Sequence, residues 1–182
     1  MAQFKTFAPN VQIIGQSITS VVTALPIGQE ERKAILSRHG IKNIVATDWY
    51  PLESYLNAFK QISDEVGPNT LFSIGKAIPE NVKFPPQIDS LEKALSSIDV
   101  AYKMNHRGGD IGYYKVLSYD AKKRAATIEC RNPYPSEFDR GLITTMLRRF
   151  KPSDSIKYNV SLDTSVPTRI GGADSCRFNV TW

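Results

Sequence analysis

Gly108-Gly109 divides this chain into two stretches with different hydrophobic periods, and that division limits the folds open to it. Before the pair, apolar residues recur at helical spacing; after it they mostly alternate. Ile18, Val21, Val22 and Leu25 follow the i, i+3, i+4, i+7 rhythm of an amphipathic helix until Pro26 and Gly28 break it. A short polar helix over residues 29–38 is stopped by His39-Gly40, where glycine supplies a left-handed cap. Trp49-Tyr50-Pro51 is expected to open the clearest helix, with Leu52, Tyr55, Leu56, Phe59, Ile62 and Val66 on one stripe. Leu71, Ile74 and Ile78 place another helix over residues 69–78, ending at Pro79. Asp89 and Glu92 have capping-box spacing ahead of a helix that buries Leu91, Leu95, Ile98 and Tyr102.

Beyond the glycines, residues 112–119 and 124–130 are rich in β-formers and read as a hairpin joined by Asp120-Ala121-Lys122-Lys123. Asn132-Pro133-Tyr134-Pro135 forces an irregular link. Ser136 with Asp139 then has the pattern to cap a helix bearing Phe138, Leu142, Met146 and Phe150, closed by Pro152. Residues 156–162 and 176–182 alternate as two more strands. The order is helices followed by β-β-α-β-β. This predicts an α+β fold in which N-terminal helices pack on a C-terminal antiparallel sheet. No repeat or linker separates the halves, so residues 1–182 read as a single domain with a helical part (1–107) and a sheet part (108–182). A chain of 182 residues buries enough core to need no disulfide or metal staple.

Few chemistries survive inspection of the side chains. Cys130 and Cys176 stand alone in apolar strands, without a CxxC pair or a histidine cluster, which argues for buried thiols and against zinc. Residues 1–10 lack the basic flank and apolar run of a signal peptide, and no apolar stretch approaches the ~20 residues of a membrane span. The expected address is therefore the cytoplasm. The net charge of +5 is uneven: residues 1–100 carry −1 and residues 101–182 carry +6. Lys122-Lys123-Arg124 and Arg148-Arg149-Lys151 fall in a hairpin loop and at a helix C-terminus, where basic residues serve solubility and the helix dipole. No nucleic-acid-binding motif accompanies them, so nucleic acid is not an expected partner. There is no nucleophile elbow, phosphate loop or dinucleotide fingerprint, and the sequence supplies no mechanism for an enzyme. His39 and His106 are both expected at the surface. The cluster Glu137-Phe138-Asp139-Arg140 suits helix capping and a local ion pair, or a polar contact at a pocket mouth.

Taken in order, several segments form a more specific pattern. These are Gly112-Tyr113-Tyr114, the strand ending at Cys130, Asn132-Pro133-Tyr134-Pro135, Phe138-Asp139-Arg140-Gly141, and the ending Gly171-Gly172-Ala173-Asp174-Ser175-Cys176-Arg177-Phe178. Together they resemble the superfamily containing the 4-vinyl reductase domain, the haem nitric-oxide-binding domain and the Golgi transport-particle subunits. The resemblance implies helices on an antiparallel sheet with an apolar cavity between them, used for small hydrophobic ligands or partner contacts. It matches Cys176 to the terminal cysteine and Asp174 to the acid before it, and sets Cys130 at a strand end near a pocket. The Tyr-x-Ser-x-Arg propionate clamp of the haem branch is not found around Tyr158-Asn159-Val160-Ser161, so no cofactor is expected. The expected activity is a small-molecule-binding or sensory domain working through a partner or as a homodimer. A scaffold or adaptor, or an enzyme on a hydrophobic or tetrapyrrole-like substrate, are the alternatives. The expected pocket residues are Leu56, Phe59, Leu71, Ile74, Cys130, Asp139, Arg140, Leu142, Met146, Asp174 and Cys176, with plain core packing as the competing role for the apolar ones.

Overall fold

A computed structural model describes residues 3–182 of the chain. Its elements run β1 (Gln12–Ile14), α1 (Gly15–Thr23), α2 (Gln29–Arg38), β2 (Trp49–Pro51), α3 (Leu52–Val66), α4 (Pro68–Glu80), α5 (Leu91–Asn105), β3 (His106–Arg107), β4 (Tyr113–Asp120), β5 (Ala125–Arg131), α6 (Ser136–Phe150), β6 (Asn159–Leu162) and β7 (Cys176–Thr181). The four later strands form an antiparallel sheet ordered β4-β5-β7-β6. On its central strands, buried Ala126, Ile128 and Cys130 stand opposite buried Val180, Phe178 and Cys176. The α+β arrangement of helices on an antiparallel sheet is the one the periodicity implies.

The first half also holds a small antiparallel sheet, β2-β1-β3, which the periodicity does not reveal. Its strands are two or three residues long, too short for alternation to register. Trp49-Tyr50-Pro51 forms β2 against β1, so α3 opens one residue later, at Leu52. Pro79 sits inside α4 one residue before its end at Glu80, and Arg149 donates to the carbonyls of Pro79 and Val82 there. The cap of α5 is Ser90, which accepts from the Lys93 amide, while Asp89 pairs with the Lys93 ammonium. At the other end of the molecule, Ile156 is 92% exposed and β6 begins only at Asn159. The Lys151 ammonium, at the end of α6, donates to the Ser155 carbonyl just ahead of this segment.

Two glycines bring the backbones of α4 and α6 into direct contact. A Cβ added at Gly75 would stand 2.1 Å from the Phe138 carbonyl oxygen, and one at Gly141 would stand 2.1 Å from that of Phe72. Each obstacle is backbone, which cannot swing aside as a side chain would. Gly75→Ala is therefore expected to cost about 1–3 kcal/mol despite alanine's higher helix propensity. Urea unfolding checks this; an unchanged or raised midpoint would mean that the helices separate freely.

Candidate functional site

Behind the sheet's buried face, polar side chains meet in a closed network. Arg169 and Asp139 are both 0% exposed and form an ion pair. The Arg169 guanidinium also donates to the Asn132 and Tyr134 carbonyls and to Asn132 Oδ1, each at 2.6 Å. Its Nε and backbone N–H both point at Cys176 Sγ, at 3.4 and 3.2 Å. Asp139 accepts from Tyr114 Oη at 2.6 Å and from Asn132 Nδ2. Burial pushes the Asp139 carboxyl up, opposed by Arg169 and by the bonds from Tyr114 and Asn132. For Arg169, burial disfavours its charge, but Asp139 together with Cys130 and Cys176 outweighs that and holds the guanidinium protonated. Since the guanidinium does not shed its proton, the pair is best described as ionised. Burial likewise pushes the Cys130 thiol well above its usual range, which leaves it a packing group rather than a nucleophile.

A cavity of about 230 Å³ lies on the near side of this network, among α1, α4, α5 and α6. Ile98, Phe138, Leu142 and Met146 give it apolar sides, and Tyr55, Tyr102, Tyr114, Tyr134 and His106 form an aromatic wall. No Asp, Glu, Lys or Arg is among the described residues that line it. His106 is only 7% exposed, which corrects its expected surface position. The turn after α5 folds it inward: its Nδ1 lies 2.8 Å from the Tyr102 carbonyl and its Nε2 lies 2.6 Å from Tyr134 Oη. A carbonyl only accepts, so Nδ1 carries the proton and Nε2 accepts from the Tyr134 hydroxyl. Burial pushes the imidazole pKa down to about 4, and the ring is neutral at pH 7.

The residues singled out from the sequence separate into four places. Leu142 and Met146 line the cavity. Leu56, Phe59, Leu71 and Ile74 are core, with Phe59 packed edge-on against Tyr134 and Phe138. Cys130, Asp139 and Cys176 belong to the buried network or its edge. Asp139 is thus not a helix cap, and α6 begins after Pro135 without a side-chain cap. Arg140 lies on the outer face of α6, paired with Glu137 and stacked 4.1 Å from the Phe72 ring, and Asp174 is exposed. Tyr55, His106, Tyr114 and Arg169 were not anticipated as site residues. Arg169 in particular sits in a loop after Pro167, with nothing in its local pattern to mark it. A signal for Tyr134 did exist: Tyr134-Pro135-Ser136-Glu137-Phe138 has the spacing of the Tyr-x-Ser-x-Arg clamp, with Phe138 where arginine would stand.

The basic triads lie apart from the cavity. Arg124 pairs with Asp154, Arg148 with Glu80, and Arg149 caps α4. Among the described residues, no helix is long and apolar enough to cross a membrane.

No family model and no curated protein matches the sequence. Solved structures do match the fold. The Fe(II) unliganded H-NOX protein from K. algicida superposes with a TM-score of 0.67 at 13% identity, over 93% of this chain and 96% of that one. The H-NOX protein from S. oneidensis in the Fe(II)NO state gives 0.66 at 12% identity, over 92% and 98%. A mutant of the T. tengcongensis H-NOX gives 0.65 at 16% identity, over 92% and 95%. The chain therefore has an H-NOX-like fold.

Proposed function

We propose that this domain is a sensor that binds a small, uncharged, predominantly apolar molecule in the cavity, without haem, and acts in the cytoplasm through a partner protein or as a homodimer. The observation that carries the reading is a cavity with apolar and aromatic walls and no charged side chain among its described lining.

Three features weigh against haem here. The His106 Nε2 lone pair, the one an iron ion would need, is occupied by the Tyr134 hydroxyl. Phe138 stands where the clamp's arginine would pair with a propionate, and no cation lines the cavity among the described residues. Its volume of about 230 Å³ also falls below the roughly 300–1,000 Å³ of pockets that take drug-sized ligands. The residues present do not fit the group. Two free, buried thiols are consistent with a reducing compartment.

Native mass spectrometry with an absorption spectrum of the same sample tests the proposal. Extra mass that disappears on denaturation, in a colourless sample, is the expected result. One equivalent of haemin is expected to give no sharp Soret band. A band that forms in the wild type and is lost in His106→Ala would replace this reading with a haem site.

A further inference from the structure

Tyr55 is 2% exposed and lines the cavity, yet its hydroxyl has no hydrogen-bond partner among the described residues. Every fully enclosed side-chain nitrogen or oxygen among them is partnered. The Tyr55 hydroxyl is therefore not fully enclosed, and its residue lines the cavity. Its isolation is specific to this residue. Tyr102 donates to the Ile111 carbonyl, Tyr114 to Asp139 and Tyr134 to His106. Ser20, Ser97 and Asn105 donate back to carbonyls of their own helices. Gln16 is exposed and Ser17 half-buried, so solvent serves both. On the aromatic wall, among the described residues, the Tyr55 hydroxyl is thus the one uncommitted donor.

We infer that the cavity selects a compact apolar carbonyl compound, a ketone, aldehyde or ester, whose oxygen accepts a hydrogen bond from Tyr55. This rests on the cavity reading above and gives it a ligand class. A carboxylate would enter with a charge that no cation among the described lining residues balances. An alcohol would bring a donor of its own, and burying that donor requires an acceptor as well. A pure hydrocarbon would leave the Tyr55 hydroxyl dry and unpaired once the ligand displaced water. A carbonyl oxygen accepts without donating and satisfies it. Size narrows the class further. A cavity of about 150 Å³ accommodates benzene, so about 230 Å³ suits one ring with a short substituent, or an aliphatic chain of similar bulk.

Acetophenone and ethylbenzene are paired probes that share a phenyl ring and a two-carbon substituent and differ by the carbonyl oxygen. Their affinities for the wild type and for Tyr55→Phe, measured by ligand-observed NMR, give a ratio of ratios in which their different water solubilities cancel. The expected result is that Tyr55→Phe weakens acetophenone about fivefold and leaves ethylbenzene unchanged. The thermal midpoint of Tyr55→Phe is expected not to fall, because no protein hydrogen bond is lost. If both probes bind and the substitution affects them equally, the carbonyl assignment is overturned while the apolar cavity stands. If neither probe binds the wild type at millimolar concentration, the cavity reading fails and takes the assignment with it. A lowered midpoint would show that the hydroxyl is already engaged within the protein, and would also overturn the assignment.

Discussion

Asp139→Ala is expected to lower the free energy of unfolding by about 3–5 kcal/mol, enough to unfold a marginal domain. The loss comes less from the missing attraction than from what remains. With the carboxylate gone, the Arg169 guanidinium stays charged and enclosed, facing carbonyls and the Cys176 sulfur but no counter-ion. Tyr114 loses its acceptor in the same step. Arg169→Met should cost a similar amount by stranding the carboxylate. The double variant Asp139→Ala/Arg169→Met should cost clearly less than the two single losses combined, since neither charge is then orphaned. Denaturant unfolding of the three variants measures this. Single substitutions costing under about 1 kcal/mol would mean that the pair is solvated and contributes little.

The second large effect is a pH dependence centred on His106. Unfolded, this imidazole titrates near 6.5; folded, burial holds it to about 4. Between those values the unfolded chain binds the proton and the folded chain does not, so acidification favours unfolding. Stability from this source is intact above pH 6.5 and declines as the pH falls toward 4. The gap corresponds to about 3 kcal/mol. Carboxylates contribute to acid unfolding as well, so the comparison is with His106→Gln. The wild type should lose about 3 kcal/mol more than that variant between pH 7 and pH 4. Parallel pH profiles would place the His106 ring in contact with solvent.

Much of this fold is legible in the sequence because long elements repeat their pattern. The stripe from Leu52 to Ile62 and the alternation of Cys176, Phe178 and Val180 each give several concordant positions, and all of these are buried, while Val66 at the stripe's end is exposed where α3 runs out. Short elements offer no such redundancy, which is why β1, β2 and β3 escape notice. The site was harder to read because it depends on contacts between distant residues. Leu142 and Met146 reach the cavity, but so does Tyr55, whose place on the α3 stripe looks the same as that of Leu56. Nothing local distinguishes a core tyrosine from one left with a free hydroxyl. Asp139 illustrates the opposite error. Its spacing from Ser136 suggests a cap, yet tertiary pairing with a residue thirty positions away overrides the local option.

The anchoring of Arg169 has a consequence for the connection between β6 and β7. Residues 163–175 form a span of thirteen with no regular secondary structure. Such a span would ordinarily sweep a large volume of conformations. Arg169 stands at its midpoint and is held to Asn132, Tyr134 and Asp139. The ring-closure entropy is therefore that of two arms of six residues, each tethered at both ends. An insertion in either arm would lengthen that arm alone and leave the other, and the register of β7, as they are.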